Sequence, residues 1–334
     1  MAVESTPREI VIWAVSDGRA GIENQVLGLA EAVARLTPAQ VEIKRVKYDG
    51  ILGRLPQTLN FAPRWSLSPK SDRIAAPWPD VWIAAGRATL ALSTRVKRWS
   101  GGRTFVVQVQ HPRRPLKKFD LVIPPEHDRL KGPNVFPILG SPHRVTSERL
   151  AEEHERFRTQ LDVLLKPRVA VLVGGRSKSF RLPKEHAEEL AVQIKGAVER
   201  ARGSLLLTFS RRTPPEARRV ITERLKGLRG WIWDGLGPNP YYAFLDAAEV
   251  VLVTEDSTNM AVEAASAGKP VLVMDMPGNG PKFRRLRDQM ELRGMARPFR
   301  GVIERWPCKP LQETERAATE VVRRLGVTNE ADPG

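Results

Sequence analysis

The sequence has few of the residues on which several classes of protein depend. Cys308 is the only cysteine among 334 residues, which excludes an internal disulfide and a cysteine-based zinc cluster and is typical of a reducing compartment. Aromatic residues make up only 6% of the chain, and they do not alternate with basic residues as they would on a surface that stacks bases. We therefore expect that nucleic acid is not the partner of this protein.

Long apolar runs and acidic residues are also scarce. No run approaches the roughly 18 apolar residues of a membrane helix, and the first apolar segment, Ile10–Val15, is too short for a signal peptide. The 38 acidic residues are outnumbered by 54 basic ones. The resulting net charge of +16 favours anionic partners, namely nucleotides, nucleic acid or an anionic membrane surface. We expect a cytoplasmic protein that associates peripherally with the inner face of the membrane. The basic residues of the N-terminal half on which this expectation rests are Arg95, Lys97, Arg98, Arg103, Arg113, Arg114, Lys117 and Lys118.

What the chain does contain is a repeated alternation of short apolar strands, polar loops and helices. Its length suggests about two domains, each large enough for its own core. A charged helix over Thr146–Leu164, stopped by Lys166-Pro167, marks the junction. We predict an N-terminal domain at 1–150, a C-terminal domain at 151–310, and a last helix and tail at 311–334.

Residues 48–79 are rich in proline and predict an irregular connection with one short helix near Ile51–Leu55. The predicted fold class is α/β, with two Rossmann-like domains whose parallel sheets face a central cleft.

The stretch Val250–Met274 predicts a strand, a polar turn, a short helix closed by Gly268, and a second strand. Asp256, Asn259 and Glu263 share one helix face, because they fall at positions i, i+3 and i+7. A helix that begins at the carboxyl end of a strand can bind an anion with its free N–H groups, and Glu263 could accept hydrogen bonds from sugar hydroxyls. The alternative is an ordinary capped helix in an α/β core, with Glu263 in solvent.

Two further loops follow predicted strands. Asp17, Gly18 and Gly21 follow the first strand, but they lack both the third glycine of a dinucleotide fingerprint and the Gly-Lys-Ser/Thr ending of a Walker loop. A ligand loop and a plain turn are both compatible with this pattern. Gly174 and Gly175 follow the strand Arg168–Val173 and precede basic residues, which indicates either an anion-binding nest or a flexible basic loop.

Four short motifs together resemble a known family. They are Ser16-Asp17-Gly18-Arg19-Ala20-Gly21-x-x-Asn24-Gln25, Gln110-His111-Pro112-Arg113, Ser210-Arg211-Arg212-Thr213 and Thr254-Glu255-Asp256-Ser257-x-Asn259-Met260. Over nearly the whole chain, the sequence resembles bacterial relatives of the mitochondrial-fission "elongated mitochondria" family. That family is in turn similar to glycosyltransferases of GT-B architecture, in which the C-terminal domain binds a nucleotide-sugar and the N-terminal domain binds the acceptor. The segment that begins at Ser257 and ends in Gly268-Lys269-Pro270 is similar to their donor-site helix.

The resemblance implies roles for individual residues. On the donor side these are Gly174, Gly175, Arg176, Ser177, Lys178, Ser210, Arg211, Ser257, Thr258, Asn259, Met260 and Glu263. On the acceptor side they are Gly18, Arg19, Gly21, Asn24, Gln25, Gly86, Arg87 and Arg113. Asp17 is the first candidate for the general base and His111 the second, although His111 could equally be a packed residue beside Pro112. Backbone N–H groups and a guanidinium would stabilise the leaving phosphate, so neither a metal nor a cofactor is expected.

The function that follows is a metal-independent glycosyltransferase with a nucleoside-diphosphate sugar as donor and a lipid or cell-envelope acceptor. One alternative is a non-catalytic, nucleotide-binding scaffold or a membrane-associated interaction protein of the same fold. A second alternative is a nucleotide-sugar epimerase, which would cleave and rebuild its donor without an acceptor. The presence of Asp17, Arg176, Arg211 and Glu263 together favours chemistry, or at least ligand binding, over a scaffold.

Overall fold

The computed structural model describes residues 8–49 and 62–326. The short helix predicted near Ile51–Leu55 and the predicted tail after Gly326 lie outside the described residues. The chain forms two compact units, Met1–Arg144 with Gln312–Gly334, and Val145–Leu311.

The first unit is a five-stranded sheet covered by helices. Its elements are β1 (Ile10–Ser16), α1 (Ala20–Leu36), β2 (Ala39–Arg45), β3 (Val81–Ala85), α2 (Leu90–Trp99), β4 (Phe105–Val109), β5 (Leu121–Ile123) and the last helix (Glu313–Leu325). All strands are parallel, in the order β2-β1-β3-β4-β5. Nearly every residue of β1, β3 and β4 is buried, as expected where both faces of a parallel sheet are covered.

The last helix packs against the first unit, in contact with α1. Its buried face carries Ala317, Ala318 and Val321, which belong to the same apolar cluster as Val26 and Leu29 of α1. The structure thus divides the chain differently from the boundaries drawn on the sequence, where residues 311–334 follow the C-terminal domain as a separate piece.

The second unit contains a six-stranded parallel sheet in the order β11-β10-β9-β6-β7-β8. Its strands are β6 (Arg168–Val173), β7 (Ser204–Phe209), β8 (Gly230–Ile232), β9 (Val250–Thr254), β10 (Val271–Met274) and β11 (Ala296–Pro298). Its helices are α3 (Ser147–Arg156), α4 (Arg158–Leu161), α5 (Lys184–Arg200), α6 (Pro215–Leu225), α7 (Tyr241–Ala247), α8 (Thr258–Ser266) and α9 (Pro281–Leu292).

The strand order of the second sheet changes direction between β6 and β9. From β6 the chain runs outward through β7 and β8, and it then returns to add β9, β10 and β11 on the other side. Open α/β sheets bind ligands at such a switch point, outside the carboxyl ends of the strands. The loops after β6, β7 and β9 are therefore the expected place for a ligand.

Two parallel sheets confirm the predicted α/β fold class. The single helix predicted over Thr146–Leu164 is wrong, because the helix ends at Arg156 and resumes as α4. The backbone leaves helical geometry at Phe157, whose buried ring packs edge-on against Trp231 with 5.5 Å between ring centroids. Among the described helices, none has the length and apolar character needed to cross a membrane.

Candidate functional site

The loops after β6 and β9 are joined by hydrogen bonds. The Gly174 N–H donates to Thr254 Oγ1 at 2.7 Å, and the Gly175 N–H donates to Asp256 Oδ2 at 3.0 Å. A Cβ at Gly174 would lie 2.1 Å from Asp256 Oδ1, and one at Gly175 would lie 2.2 Å from the carbonyl oxygen of Arg212, so any side chain there would collide. These N–H groups are already bonded within the protein. They are therefore not free to cradle a phosphate as expected, and both glycines allow the loops to pack closely.

Asp256 is the centre of this arrangement. Its side chain is fully buried, and it also accepts a hydrogen bond from Thr254 Oγ1 at 2.8 Å. Arg212 Nη2 lies 2.8 Å from Asp256 Oδ2 and donates to Ser257 Oγ at 3.3 Å. Arg212 neutralises the buried carboxylate. Because its side chain is 45% exposed, it also presents part of its guanidinium to solvent.

Arg212 was not among the predicted site residues, which included its neighbours Ser210 and Arg211. Arg211 is exposed and forms no hydrogen bond or ion pair that the described residues show. Ser210 is used within its own turn, where its hydroxyl accepts from the Arg212 N–H at 3.1 Å. Asp256, an acid two residues after the end of a buried strand, was the available signal for a basic partner, but two adjacent arginines cannot be told apart without the fold.

Basic side chains gather beside these loops. An open pocket of about 650 Å³ is lined by Arg176, Ser177, Lys178, Arg181 and Arg212, and we call it the basic pocket. The structure thus brings the predicted Arg176, Ser177 and Lys178 together and adds Arg181, which sequence reasoning missed. Ser177 Oγ accepts the N–H groups of Ser179 and Phe180, at 3.2 and 3.0 Å, and so shapes the loop.

The charges of the basic pocket are largely unpaired. Within the described parts of the chain, Arg176, Lys178 and Arg181 form no ion pair with a carboxylate. Guanidinium groups that are free of a carboxylate partner are well suited to bind phosphate oxygens, often with two parallel hydrogen bonds.

The helix α8 begins next to the basic pocket. Its first N–H groups, those of Thr258, Asn259 and Met260, have no acceptor inside the helix and add a partial positive charge. The Ser257 side chain does not cap the helix, because its hydroxyl accepts from Arg212 instead. Arg212 therefore connects the two elements that suit an anion, the basic pocket and the start of α8.

Glu263 lies further along α8 and is only 8% exposed. Its carboxylate accepts a hydrogen bond from the hydroxyl of Tyr241, at the start of α7. Burial raises the pKa of Glu263 to about 7, although the hydrogen bond from Tyr241 opposes the rise. Burial, and then the Glu263 carboxylate, raise the pKa of Tyr241 well above its usual value. Glu263 is thus neither solvated nor free, and Tyr241 holds one of its oxygens in place.

The acceptor-side residues near Asp17 lie at the carboxyl edge of the first sheet. Arg19 donates to Asp17 Oδ2 from Nε at 2.9 Å, with Nη2 at 2.7 Å, and its N–H donates to Asp17 Oδ1. A Cβ at Gly86 would lie 3.8 Å from Asp17 Oδ2, so the loops after β1 and β3 meet here. Gly18 has φ of 76°, which favours glycine. Asp17 is therefore an ion-paired carboxylate.

The remaining predicted residues of the first unit lie either after β4 or in the first turns of helices. Gln110, in the left-handed region with φ of 73°, donates from Nε2 to Oε1 of the buried Gln25 at 2.7 Å. His111 Nδ1 accepts the Arg113 N–H at 2.9 Å. In a neutral imidazole this bond leaves the proton on Nε2, so His111 presents a donor rather than a base. The other predicted positions are Gly21 and Asn24 in the first turns of α1, and Arg87 in the single helical turn after Gly86.

None of the described residues form a group of three or more His, Cys, Asp or Glu side chains that could hold a metal ion. The basic pocket and the start of α8 both present positive charge, which is suited to an anionic ligand.

Comparisons with known proteins agree with the motifs. The sequence model described as "Mitochondrial fission ELM1" matches residues 20–325. The chain belongs to the ELM1 family. A relative within it, the Arabidopsis thaliana "Mitochondrial fission protein ELM1", is 30% identical over 274 residues, which cover 74% of this chain but only 64% of the plant protein. The "Uncharacterized protein RP120" of Rickettsia prowazekii (strain Madrid E) is 27% identical over 357 residues, which cover 93% of this chain and 97% of that protein.

The fold of this ELM1-family chain is similar to solved enzymes of GT-B type. The UDP-GlcNAc 2-epimerase of Methanocaldococcus jannaschii gives a TM-score of 0.56 at 13% identity, covering 95% of this chain and 100% of the epimerase. The same enzyme in complex with UDP-GlcNAc and UDP gives 0.55 at 13% identity, with 96% and 99% coverage. The glycosyltransferase of kitacinnamycin gives 0.50 at 15% identity, with 96% and 94% coverage. At these identities the likeness concerns the fold alone.

Proposed function

We propose that this chain binds a nucleoside-diphosphate sugar at the carboxyl edge of the second sheet. The observation that carries the proposal is the position of Arg212, which joins the basic pocket to the start of α8. A diphosphate placed there would meet the guanidinium groups of Arg176, Arg181 and Arg212 on one side and the first N–H groups of α8 on the other. Both elements favour negative charge, and both lie in one unit.

Glu263 supports a sugar-bearing ligand rather than a bare diphosphate. It follows the start of α8 by one turn, and Tyr241 occupies one of its oxygens. The remaining acceptor capacity of the carboxylate suits vicinal hydroxyls of a ribose, which donate hydrogen bonds in pairs. The solved relatives of this fold include an epimerase in complex with UDP-GlcNAc and UDP, which agrees with a ligand of this class.

For the reaction we propose metal-independent glycosyl transfer to a lipid or cell-envelope acceptor. The positive charge of the basic pocket would stabilise the departing diphosphate, so the proposed step needs no metal ion. The acceptor hydroxyl needs a general base, and Asp17 is the first candidate. In this role, the ion pair between Arg19 and the Asp17 carboxylate must first open. With its proton on Nε2, His111 is better suited to donate a hydrogen bond than to accept the proton.

A nucleotide-sugar epimerase is the second candidate, because this fold is shared with UDP-GlcNAc 2-epimerases as well as with a glycosyltransferase. Both reactions would use the same donor site. They differ in the product, since an epimerase returns a nucleotide-sugar and a transferase releases a nucleoside diphosphate. A scaffold would bind nucleotide and release neither product.

Peripheral association with an anionic membrane completes the proposal. Arg95, Arg98 and Arg114 lie close together in the first unit, since burial and then the charges of Arg98 and Arg114 lower the pKa of Arg95. Trp65 is 89% exposed in the same unit. Clustered guanidinium groups attract anionic head groups, and an exposed indole suits the membrane interface.

The decisive experiment is calorimetric titration with UDP, GDP, ADP, CDP and their sugars. We expect one nucleoside diphosphate to bind saturably, and the double variant Arg176→Ala/Arg181→Ala to weaken it by a factor of about ten to one hundred, as for lost charge-assisted hydrogen bonds. Arg224→Ala/Arg229→Ala is the matched control, because it removes two exposed arginines of the same unit that do not line the basic pocket. If no nucleotide binds, or if the two double variants behave alike, the proposed donor site is wrong.

A further inference from the structure

A second pocket lies at the opposite edge of the second sheet, where β6, β9 and β10 begin. It has a volume of about 570 Å³, and its wall includes Lys166, Arg168, Asp246, Glu249 and Lys269. The strand β6 runs from Arg168 to the loop that carries the basic pocket, a distance of about 20 Å at the usual rise per residue. This pocket, which we call the amino-edge pocket, is therefore separate from the proposed donor site.

Arg168 is the unusual residue of the amino-edge pocket. It is only 8% exposed, and its Nε atom is buried without a hydrogen-bond partner. In residues 8–49 and 62–326 the guanidinium has neither a hydrogen bond nor an ion pair. The nearby Glu249 is engaged elsewhere, since its Oε2 accepts the backbone N–H of Arg168 at 2.5 Å and its Oε1 lies 3.6 Å from Lys166 Nζ. A buried guanidinium nitrogen without a partner is costly, so the position of Arg168 beside an open pocket points to an anion from outside.

The other charged residues of the wall do not supply a negative charge for Arg168. Asp246 Oδ2 is 2.6 Å from His154 Nδ1, and Lys269 Nζ donates to the backbone carbonyl of Asp246 at 2.7 Å. Burial lowers the pKa of Lys269. Apart from His154, the titratable side chains of the wall with a formal charge are three basic groups, Lys166, Arg168 and Lys269, and two carboxylates, Asp246 and Glu249. One further negative charge would balance them.

The remaining wall indicates what kind of molecule carries that charge. Trp306, Pro307 and Cys308 supply a mainly apolar side, and the volume falls within the usual range for sites of small organic ligands. A bare inorganic ion would leave most of this space unfilled. We propose that the amino-edge pocket binds a small organic anion, whose carboxylate or phosphate group pairs with Arg168. This inference does not depend on the proposed donor site.

The test uses a parent protein in which Arg176→Ala/Arg181→Ala disables the basic pocket, so that anions cannot stabilise the chain there. The melting temperature is followed at constant ionic strength with inorganic phosphate, with phosphoenolpyruvate and with succinate. We expect saturable stabilisation by at least one of the two organic anions. Both organic anions carry a carboxylate. A larger effect of phosphoenolpyruvate would therefore indicate that its phosphate group contributes, and an equal or larger effect of succinate would indicate pairing through a carboxylate.

Substitutions of Arg168 decide whether the stabilisation comes from the amino-edge pocket. Arg168→Met in the parent should weaken the apparent affinity about tenfold or more, the value of a lost charge-assisted pair. Arg168→Lys, which keeps the charge but not the planar fork, should fall in between and serves if the Met variant does not fold. The control Arg224→Met, on α6, should bind like the parent. Absence of saturable binding by either organic anion, or equal affinity in the parent and the Arg168 variants, would overturn the proposal.

Discussion

The Arg212 guanidinium lies 2.8 Å from the buried carboxylate of Asp256 and thereby ties the loop after β7 to the loop after β9. The same carboxylate accepts the Gly175 N–H from the loop after β6. Three loops at the switch point of the second sheet are therefore held by one acidic side chain. A ligand in the basic pocket would meet an arginine whose position is already set, which lowers the entropy that binding must overcome.

Asp256→Asn tests this arrangement. The amide keeps the shape of the side chain but loses the charge. Its NH₂ group cannot accept the hydrogen bonds that the carboxylate oxygen accepts in the wild type. We expect the free energy of unfolding to fall by about 1–3 kcal/mol, the cost of leaving buried donors unsatisfied. Denaturation in urea measures the change. Asp162→Asn is the control, because Asp162 forms an exposed pair with Arg158 and should cost less than about 1 kcal/mol. Equal losses in the two variants would contradict the central role of Asp256.

The loop after β6 can be tested through its glycines. In Gly175→Ala the new Cβ would lie 2.2 Å from the backbone carbonyl oxygen of Arg212, which cannot move as a side chain can. We expect a loss of about 1–3 kcal/mol, the usual cost of overpacking. Gly196→Ala, inside α5, is the matched control. There a Cβ meets only the flexible end of Arg200, so the change should stabilise the helix by about 0.5–1 kcal/mol. A tolerated Gly175→Ala would show that the loops do not pack as described.

The pKa of Glu263 predicts a dependence of stability on pH. Burial raises it from 4.5 in the unfolded chain to about 7 in the folded one. Between these values the folded state binds more protons than the unfolded state, so stability falls as pH rises through this window and is constant above it. The total loss should be about 3 kcal/mol. His143, whose pKa burial lowers from 6.5 to about 4, acts in the opposite sense over much of the same window, so the difference from a variant must be measured.

Glu263→Gln provides that difference. The amide does not titrate in this range, so the wild-type curve minus the variant curve should contain the fall assigned to Glu263. Tyr241→Phe should move the fall to higher pH, because the hydroxyl is the group that opposes the rise in the pKa. Chemical denaturation across the window measures all three curves. Parallel curves for wild type and Glu263→Gln would show that the carboxylate titrates as it does in water.

Local patterns of the sequence were sufficient for much of the second unit. The strand predicted at Glu249–Thr254 is β9, and the helix that follows ends near Gly268 as predicted, where the backbone is left-handed with φ of 70°. Apolar runs, polar turns and glycines act over a few residues, so such elements can be located without the fold. The positions of Arg176, Ser177 and Lys178 at one pocket also follow from the end of a single strand.

Contacts between distant segments could not be predicted in this way. Arg212 and Asp256 are 44 positions apart and meet only because β7 and β9 flank β6. The packing of the last helix on α1 could not be predicted either. The apolar face of the helix indicates that it is buried, but not which surface covers it. The buried Arg168 gave no sequence signal at all, because an arginine at the start of a strand is ordinarily exposed.

Membrane association should depend on the cluster of arginines in the first unit. We expect the wild type to sediment with anionic vesicles at low salt and to be released at high salt. Arg98→Ala/Arg114→Ala should weaken binding by about 2 kcal/mol, at about 1 kcal/mol for each basic residue near the leaflet. Arg224→Ala/Arg229→Ala changes the net charge equally in the second unit and should bind as wild type does. Equal sedimentation with neutral and anionic lipids would argue against the membrane proposal.

Catalysis, if Asp17 is the general base, should be separable from donor binding. Asp17→Asn keeps the size of the side chain but removes the proton acceptor, so turnover should fall by about 10²–10⁴ while nucleotide affinity stays nearly unchanged. Glu263→Ala should do the reverse and weaken nucleotide binding first, because its hydrogen bonds form in the ground state as well. Arg19→Gln is the informative partner, since it frees the Asp17 carboxylate from its ion pair without removing it.

Turnover is measured as release of nucleoside diphosphate, and as epimerised nucleotide-sugar, from the donor that the titrations identify. If Asp17→Asn turns over at the wild-type rate, the base is another group. Nucleotide binding without either product, in the presence of membrane extract as the source of acceptor, would favour a scaffold over an enzyme.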